Sequence, residues 1–208
     1  MSKMAKVFSF IKSETIIVFK VLKMIIKQLT FTLKDGREAV IRSPQVEDWK
    51  ELIAYLTQAA SETDFLLTTP EECSKYSEQY EKAFIEATNN SDNAVMLMCL
   101  VDHKIVGTSR IEWKTHIKTK HRARIGIAIL KDYWGLGIGS AFFKEMINIA
   151  LNNKDLLQLE LEFVEGNERA KALYEKFGFE IFGFIPNSIR AKDGSLRKEY
   201  MMNKELDR

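Results

Sequence analysis

The sequence predicts one α/β domain built as a single mixed sheet covered by helices. Three observations carry that expectation. Strand and helix signals run in the order strand, strand, two helices, three strands, helix, strand, helix, two strands, which suits one helix-covered sheet. The chain's 208 residues allow one domain with a sizeable core and are too few for two ordinary ones. No internal repeat or low-complexity linker marks a second domain, and 46% hydrophobic against 29% charged residues is a globular balance.

The elements follow in order. Ile25 to Leu33 reads as a strand, Lys34-Asp35-Gly36-Arg37 as a turn, and Glu38 to Arg42 as the hairpin partner. Ser43-Pro44 reads as an N-cap with proline in the first helical turn, and Trp49, Leu52, Ile53 and Leu56 follow at helical spacing. Thr69-Pro70-Glu71-Glu72 is a capping box, and its helix is expected to run to about Thr88. Ala94 to Val101 and Ile105 to Trp113 are strands around a short turn at Asp102-His103-Lys104, and Arg122 to Leu130 is a third. After a glycine-rich turn comes an apolar helix from about Ser140 to Leu151. Leu156 to Val164 is a strand whose Leu157, Leu159, Leu161 and Phe163 share one face. A helix over roughly Glu168 to Phe177 is closed by Gly178, and strands near Glu180 to Ile185 and Arg197 to Asn203 flank a polar hairpin at Asp193-Gly194.

The net charge of +2 is unevenly placed. Residues 1–23 carry Lys3, Lys6, Lys12, Lys20 and Lys23 against Glu14 alone, so the rest of the chain is slightly acidic. An acidic body argues against a nucleic-acid partner, which needs a concentrated basic face. The apolar stretch from Ser13 to Phe19 contains Glu14 and is too short to span a bilayer, so stable membrane insertion is not expected. Residues 1–23 read as a basic, apolar extension outside a core that starts at Met24. Cys73 and Cys99 form no CxxC pair, which points to neither zinc nor a disulfide scaffold and suits a reducing, cytoplasmic setting.

The segment that carries chemistry is Ile127-Ala128-Ile129-Leu130-Lys131-Asp132-Tyr133-Trp134-Gly135-Leu136-Gly137-Ile138-Gly139-Ser140. A strand enters it and a helix leaves it. Glycines at alternate positions let the backbone curve tightly and aim its N–H groups at one spot, beside the positive end of the next helix. That geometry binds phosphate oxygens. A nucleoside-triphosphate loop would need Lys-Ser/Thr after its last glycine, and here Ser140-Ala141 follows Gly139. The dinucleotide fingerprint is also absent, because Ser140 stands where its last glycine would fall.

This segment resembles the pyrophosphate-binding turn Q/R-x-x-G-x-G/A of the GNAT superfamily of N-acetyltransferases. Gly137 and Gly139 match its glycines, while Trp134 stands where Gln or Arg is usual. A second stretch, Asn167 to Phe179, resembles the superfamily's N-x-x-A-x-x-L-Y-x-x-x-G-F motif at Asn167, Ala170, Leu173, Tyr174, Gly178 and Phe179. Within the superfamily the chain resembles the bacterial ribosomal-protein alanine N-acetyltransferase-like branch. The resemblance implies an α+β fold with a mostly antiparallel sheet over residues 24–208, and acetyl-CoA as co-substrate with no metal. It implies that Ile127, Ala128 and Ile129 bind the pantetheine arm through their main chain. It implies that Gly135, Leu136, Gly137, Ile138, Gly139 and Ser140 bind the diphosphate, and that Asn167 helps to hold the arm.

Acetyl transfer from a thioester requires a neutral amine, a donor for the developing oxyanion and a proton for the leaving thiolate. Tyr174 is the candidate general acid, and a backbone N–H near Ile129 the candidate oxyanion donor. Glu162 is the candidate base. It lies five residues before Asn167, where the resembling enzymes place theirs, and it points away from the leucine row. Glu112, Glu160 and His121 are alternatives. Cys99 sits in an apolar run and Cys73 has no nearby histidine, so direct transfer is expected over an acetyl-cysteine route.

The fold resemblance puts the acceptor between the early helices, residues 44–88, and the late hairpin from Ile185 to Arg197. Glu62, Asp64, Glu71 and Glu72 could attract a cationic amine there, or serve as plain helix-start charges. A small-molecule amine is the expected acceptor. A peptide N-terminus, as in ribosomal-protein acetylation, and a non-catalytic acetyl-CoA sensor remain open, as does a homodimer.

Overall fold

A computed structural model describes residues 24–207, so the predicted N-terminal extension lies outside the described residues. The elements are β1 (Leu29–Thr32), β2 (Glu38–Arg42), α1 (Trp49–Glu62), α2 (Pro70–Cys73), α3 (Glu78–Asn89), β3 (Ala94–Val101), β4 (Lys104–Trp113), β5 (Arg122–Ile129), α4 (Ile138–Asn152), β6 (Gln158–Val164), α5 (Glu168–Lys176), β7 (Glu180–Arg190) and β8 (Leu196–Glu205). The strands form one eight-stranded sheet in the order β1-β2-β3-β4-β5-β6-β8-β7. Every neighbouring pair is antiparallel except β5 and β6. The predicted α/β class, the mixed and mostly antiparallel sheet and the flanking helices are all present.

Alternation along the strands sorts the core onto two faces. Val95, Leu97 and Cys99 of β3 point to the face covered by α4, where Phe142, Phe143 and Met146 are fully buried with Leu159, Leu161 and Phe163 of β6. Met96 and Met98 point to the other face, which α1 and α3 cover with Leu52, Tyr55, Ala59 and Ile85. Burying side chains of this size contributes about 1.5–3 kcal/mol each.

Several boundaries differ from the expectation, each for a local reason. β1 begins at Leu29 rather than Ile25, because the preceding residues bond elsewhere. The Met24 N–H donates to Asn89 O at 3.1 Å and the Ile26 N–H to Ser43 Oγ at 3.2 Å. That bond also removes Ser43 from capping; Gln45 opens a 3-10 turn over Val46–Asp48 that leads into α1. The Thr69 capping box forms as expected, but its helix is a single turn. Ser74 Oγ bonds back to Glu71 O, and Ser77 caps a separate helix through Tyr80 N at 3.1 Å. Serine side chains thus compete with the helical backbone and break the run in two. Leu157 precedes β6 and is 52% exposed, so the buried row holds only Leu159, Leu161 and Phe163.

Candidate active site

The single parallel pairing creates the site. β5 and β6 are in register only at Arg122–Gln158, Ala123–Leu159 and Arg124–Glu160. Yet β5 continues to Ile129 and β6 to Val164. The strands part beyond Arg124, and a cleft of about 720 Å³ opens between them, reaching from the glycine turn to α3.

β5 presents its edge to this gap. The Leu130 N–H bonds Val106 O of β4 at 2.9 Å. Successive residues in an antiparallel ladder alternate in direction, so Ile127 and Ile129 turn their amides and carbonyls toward the cleft. The Trp134 indole donates to the Ile129 carbonyl at 2.7 Å. The Ile129 N–H is left as the donor facing the gap. Ala128 faces the other way, its carbonyl accepting from the Tyr55 hydroxyl at 2.8 Å.

The glycines of the turn divide their work. Gly135 and Gly137 have φ of 77° and 105°, left-handed values that side chains resist. Gly137 is the N-cap of α4, so the amides of Ile138, Gly139 and Ser140 begin that helix without intrahelical acceptors, and all three residues line the cleft. Gly139 is needed for another reason: a Cβ there would lie 2.7 Å from Leu173 Cδ2 of α5. Leu136 lines no part of the cleft; it packs against the core, and its carbonyl holds the Lys34 N–H at 3.1 Å. Free amides at the positive end of a 15-residue helix suit a diphosphate.

Asn167 caps α5, its Oδ1 accepting from Ala170 N at 3.3 Å, and it lines the cleft. Tyr174 lies two turns along. Its ring is 6% exposed and packs against Phe143 and Phe163 at centroid distances of 5.4 and 6.1 Å. Burial pushes its phenol up to about 12, against a smaller opposing effect of Arg169, so it stays protonated at neutral pH.

Arg169 is the residue that sequence reasoning missed. Its guanidinium stacks 3.2 Å from the centroid of Trp134. It forms no salt bridge among the described residues, and loss of water in the cleft lowers it to about 10 while the Tyr174 phenol acts the other way. The turn therefore lacks the usual polar residue at position 134, but an arginine from α5 stands over the tryptophan that replaces it. The available signal was the position of Arg169 inside the second motif, next to Ala170 and on the helix that faces the turn.

Glu162 lines the cleft, and its Oε2 accepts from Arg124 across the parting strands. The alternatives lie elsewhere. Glu160 is paired with Arg122 and Gln158, Glu112 with Arg110 at 2.8 Å, and none of Glu160, Glu112 or His121 lines the cleft. Of the four acids expected to draw in an amine, three are also occupied and one stands in solvent. Glu62 accepts from Lys131 N at 2.6 Å, Asp64 pairs with Lys192 at 3.6 Å, Glu72 closes the capping box, and Glu71 is fully exposed on the first turn of α2. Besides Glu162, the acids that do line the cleft are Glu199 of β8, whose Oε2 accepts from Ser188 Oγ at 2.8 Å, and Glu81 of α3. Cys73 and Cys99 are buried outside the cleft lining, and burial raises the Cys99 thiol to about 12. Among the described residues no cluster of three His, Cys, Asp or Glu side chains could hold a metal, and no helix is long and apolar enough to cross a membrane.

Known proteins resemble this chain in sequence and in fold. The model of the acetyltransferase (GNAT) family matches residues 52–179. An L-amino acid N-acetyltransferase, AaaT, of Escherichia coli is 31% identical over 87 residues, 42% of this chain and 54% of that protein. The chain thus matches about half the length of that relative. The crystal structure of a GNAT-family acetyltransferase from Streptococcus pneumoniae superposes with a TM-score of 0.75 at 28% identity, covering 81% of this chain and 99% of that one. YncA of Salmonella typhimurium, a putative acetyltransferase solved with its cofactor acetyl-CoA, shares the fold at a TM-score of 0.69 and 15% identity, over 82% and 95% of the two chains.

Proposed function

Because the chain belongs to the acetyltransferase (GNAT) family and uses acetyl-CoA, we propose that it moves the acetyl group directly to the amine of a small molecule, in a complex holding both substrates. The observation that carries this reading is the parted pair of strands, with a phosphate-suited turn at one end and a protonated, buried Tyr174 on the helix beside it.

Acetyl-CoA supplies the acetyl group as a thioester. The amides of Ile138, Gly139 and Ser140, joined by Arg169, hold its diphosphate, and the main chain of Ile127 and Ile129 with Asn167 holds the arm. The Ile129 N–H faces the negative charge that develops on the carbonyl oxygen. An aliphatic amine has a pKa near 10 and arrives protonated. Glu162 takes that proton, directly or through a water. Tyr174 gives its proton to the leaving sulfur. The buried cysteines outside the cleft support direct transfer over a covalent acetyl-enzyme.

The test is an amine panel with acetyl-CoA, read as released thiol, on the wild type and on a Cys73→Ala/Cys99→Ala double variant. Turnover by both is expected. Complete loss of chemistry in a folded double variant would overturn direct transfer. Failure of the wild type to bind acetyl-CoA in calorimetry would overturn the reading itself.

A further inference from the structure

The half of the cleft under α3 holds a carboxylate without a counter-charge. Glu81 is only 2% exposed, yet it lines the cleft, and its Oε1 has no hydrogen-bond partner among the described residues. Burial alone raises its carboxyl above the ordinary carboxylate range. Cys73 and Tyr76, the titratable groups beside it, carry no positive charge. A buried carboxylate left unpaired is unfavourable, and an incoming cation relieves that cost.

Arg110 of β4 lines the same space. One arm holds Glu112 at 2.8 Å, while its Nε is buried and unpartnered. Its Cζ lies 5.7 Å from the centroid of Phe84. Phe84 follows Glu81 by three residues on α3, so the two are neighbours on one helical face. Phe84 therefore adjoins both the carboxylate and the guanidinium. Opposite Arg110 in the ladder is Gly126, where an added side chain would meet nothing within 4 Å, so the floor is open. Tyr76 and Tyr80 stack at 5.3 Å along the wall, and Tyr80 and Leu67 remain 56% and 67% exposed.

A lone carboxylate, a guanidinium with a spare donor and an uncovered apolar wall describe a ligand with three matching parts. Resting on the acetyltransferase reading above, we propose that the acceptor is a free α-amino acid with an apolar side chain, its ammonium received by Glu81, its carboxylate by Arg110 and its side chain by the aromatic wall. A polyamine offers nothing to Arg110. An aminoglycoside offers nothing to the wall. A peptide N-terminus has no carboxylate beside its amine.

The test compares kcat/KM of the full chain for L-leucine and L-phenylalanine with that for their amides, for 2-phenylethylamine and for spermidine. The wild type is expected to prefer the free acids by about tenfold or more, the effect of one charge-assisted contact. Arg110→Met should abolish that preference. Glu81→Gln should raise the amino-acid KM by about tenfold or more while leaving acetyl-CoA affinity and the thermal midpoint undiminished. Equal use of acids and amides by the wild type, or an unchanged KM in Glu81→Gln, overturns the proposal. If Glu81→Gln does not fold, the preference of Arg110→Met decides. Turnover of a peptide N-terminus or spermidine without the free acids defeats this acceptor and leaves the acetyltransferase reading standing. Absence of acetyl-CoA binding defeats both.

Discussion

Removing one oxygen from Tyr174 separates chemistry from folding. The Tyr174→Phe ring keeps its place against Phe143 and Phe163, because those contacts involve the ring and not the hydroxyl. The hydroxyl has no hydrogen-bond partner among the described residues, so its loss leaves no protein group unsatisfied. The stability change should stay within about 0.5 kcal/mol, and the thermal midpoint within about 2 °C for a domain of this size. The catalytic effect should be far larger. A positioned general acid contributes roughly 10²–10⁴-fold, so kcat should fall at least about tenfold, or 1.4 kcal/mol of barrier. Acetyl-CoA affinity should hardly change, since the residues proposed to hold its diphosphate and arm lie elsewhere. The assay is steady-state thiol release at saturating acceptor, with calorimetry for cofactor binding and a thermal melt for the fold. An unchanged kcat would remove Tyr174 from the mechanism. A drop in kcat that came with an equal loss of cofactor affinity or of several degrees in the melt would make it a packing residue.

Two further outcomes follow from groups that the sequence did not single out. Arg169→Ala should weaken acetyl-CoA binding by about 10- to 100-fold, measured by calorimetry, with a smaller effect at high salt. Arg169→Lys should recover only part of it, because an ammonium does not stack on Trp134 as a planar guanidinium does; an unaltered Kd in the alanine variant would show that Arg169 does not touch the phosphates. Glu81 gives a test by pH. Its folded-state pKa is raised above the ordinary 4.5 by burial, so its stability contribution is full below that value and is lost as pH rises through the folded one. Thermal melts of Glu81→Gln should therefore run above wild type at neutral pH and converge with it below pH ~4.5; a constant difference across that window would contradict the burial of an unpaired charge.

Much of the fold was legible because local rules and tertiary packing agree there. The hairpin at Asp102-His103 takes the positive φ values of 49° and 63° that a tight turn requires. The Thr69 capping box, the Asn167 cap and Gly178 all mark helix ends where they were read. Where local signals competed, the reading slipped. Ser43 looked like a cap, but an amide 17 residues earlier in the chain takes its hydroxyl. The run from Pro70 to about Thr88 reads as one helix, but Ser77 was free to start a second.

The site divides along the same line. The glycine turn, Asn167 and Tyr174 could be read because backbone bends and helix starts are written in short stretches of chain. Their phosphate-suited amides and parted strands follow from φ values and ladder register that neighbouring residues impose. No such local grammar exists for Arg169 on Trp134, or for Glu81 and Arg110 beside Phe84. In sequence Glu81 is one more glutamate on an amphipathic helix, and its burial depends on how α3 lies across β3 and β4. The sequence by itself thus determined the family, the expected co-substrate and the glycine bend proposed to hold it. Only the tertiary structure decided which charges are stripped of water and left unpaired, because desolvation depends on everything that packs around a group and not on its neighbours in the chain.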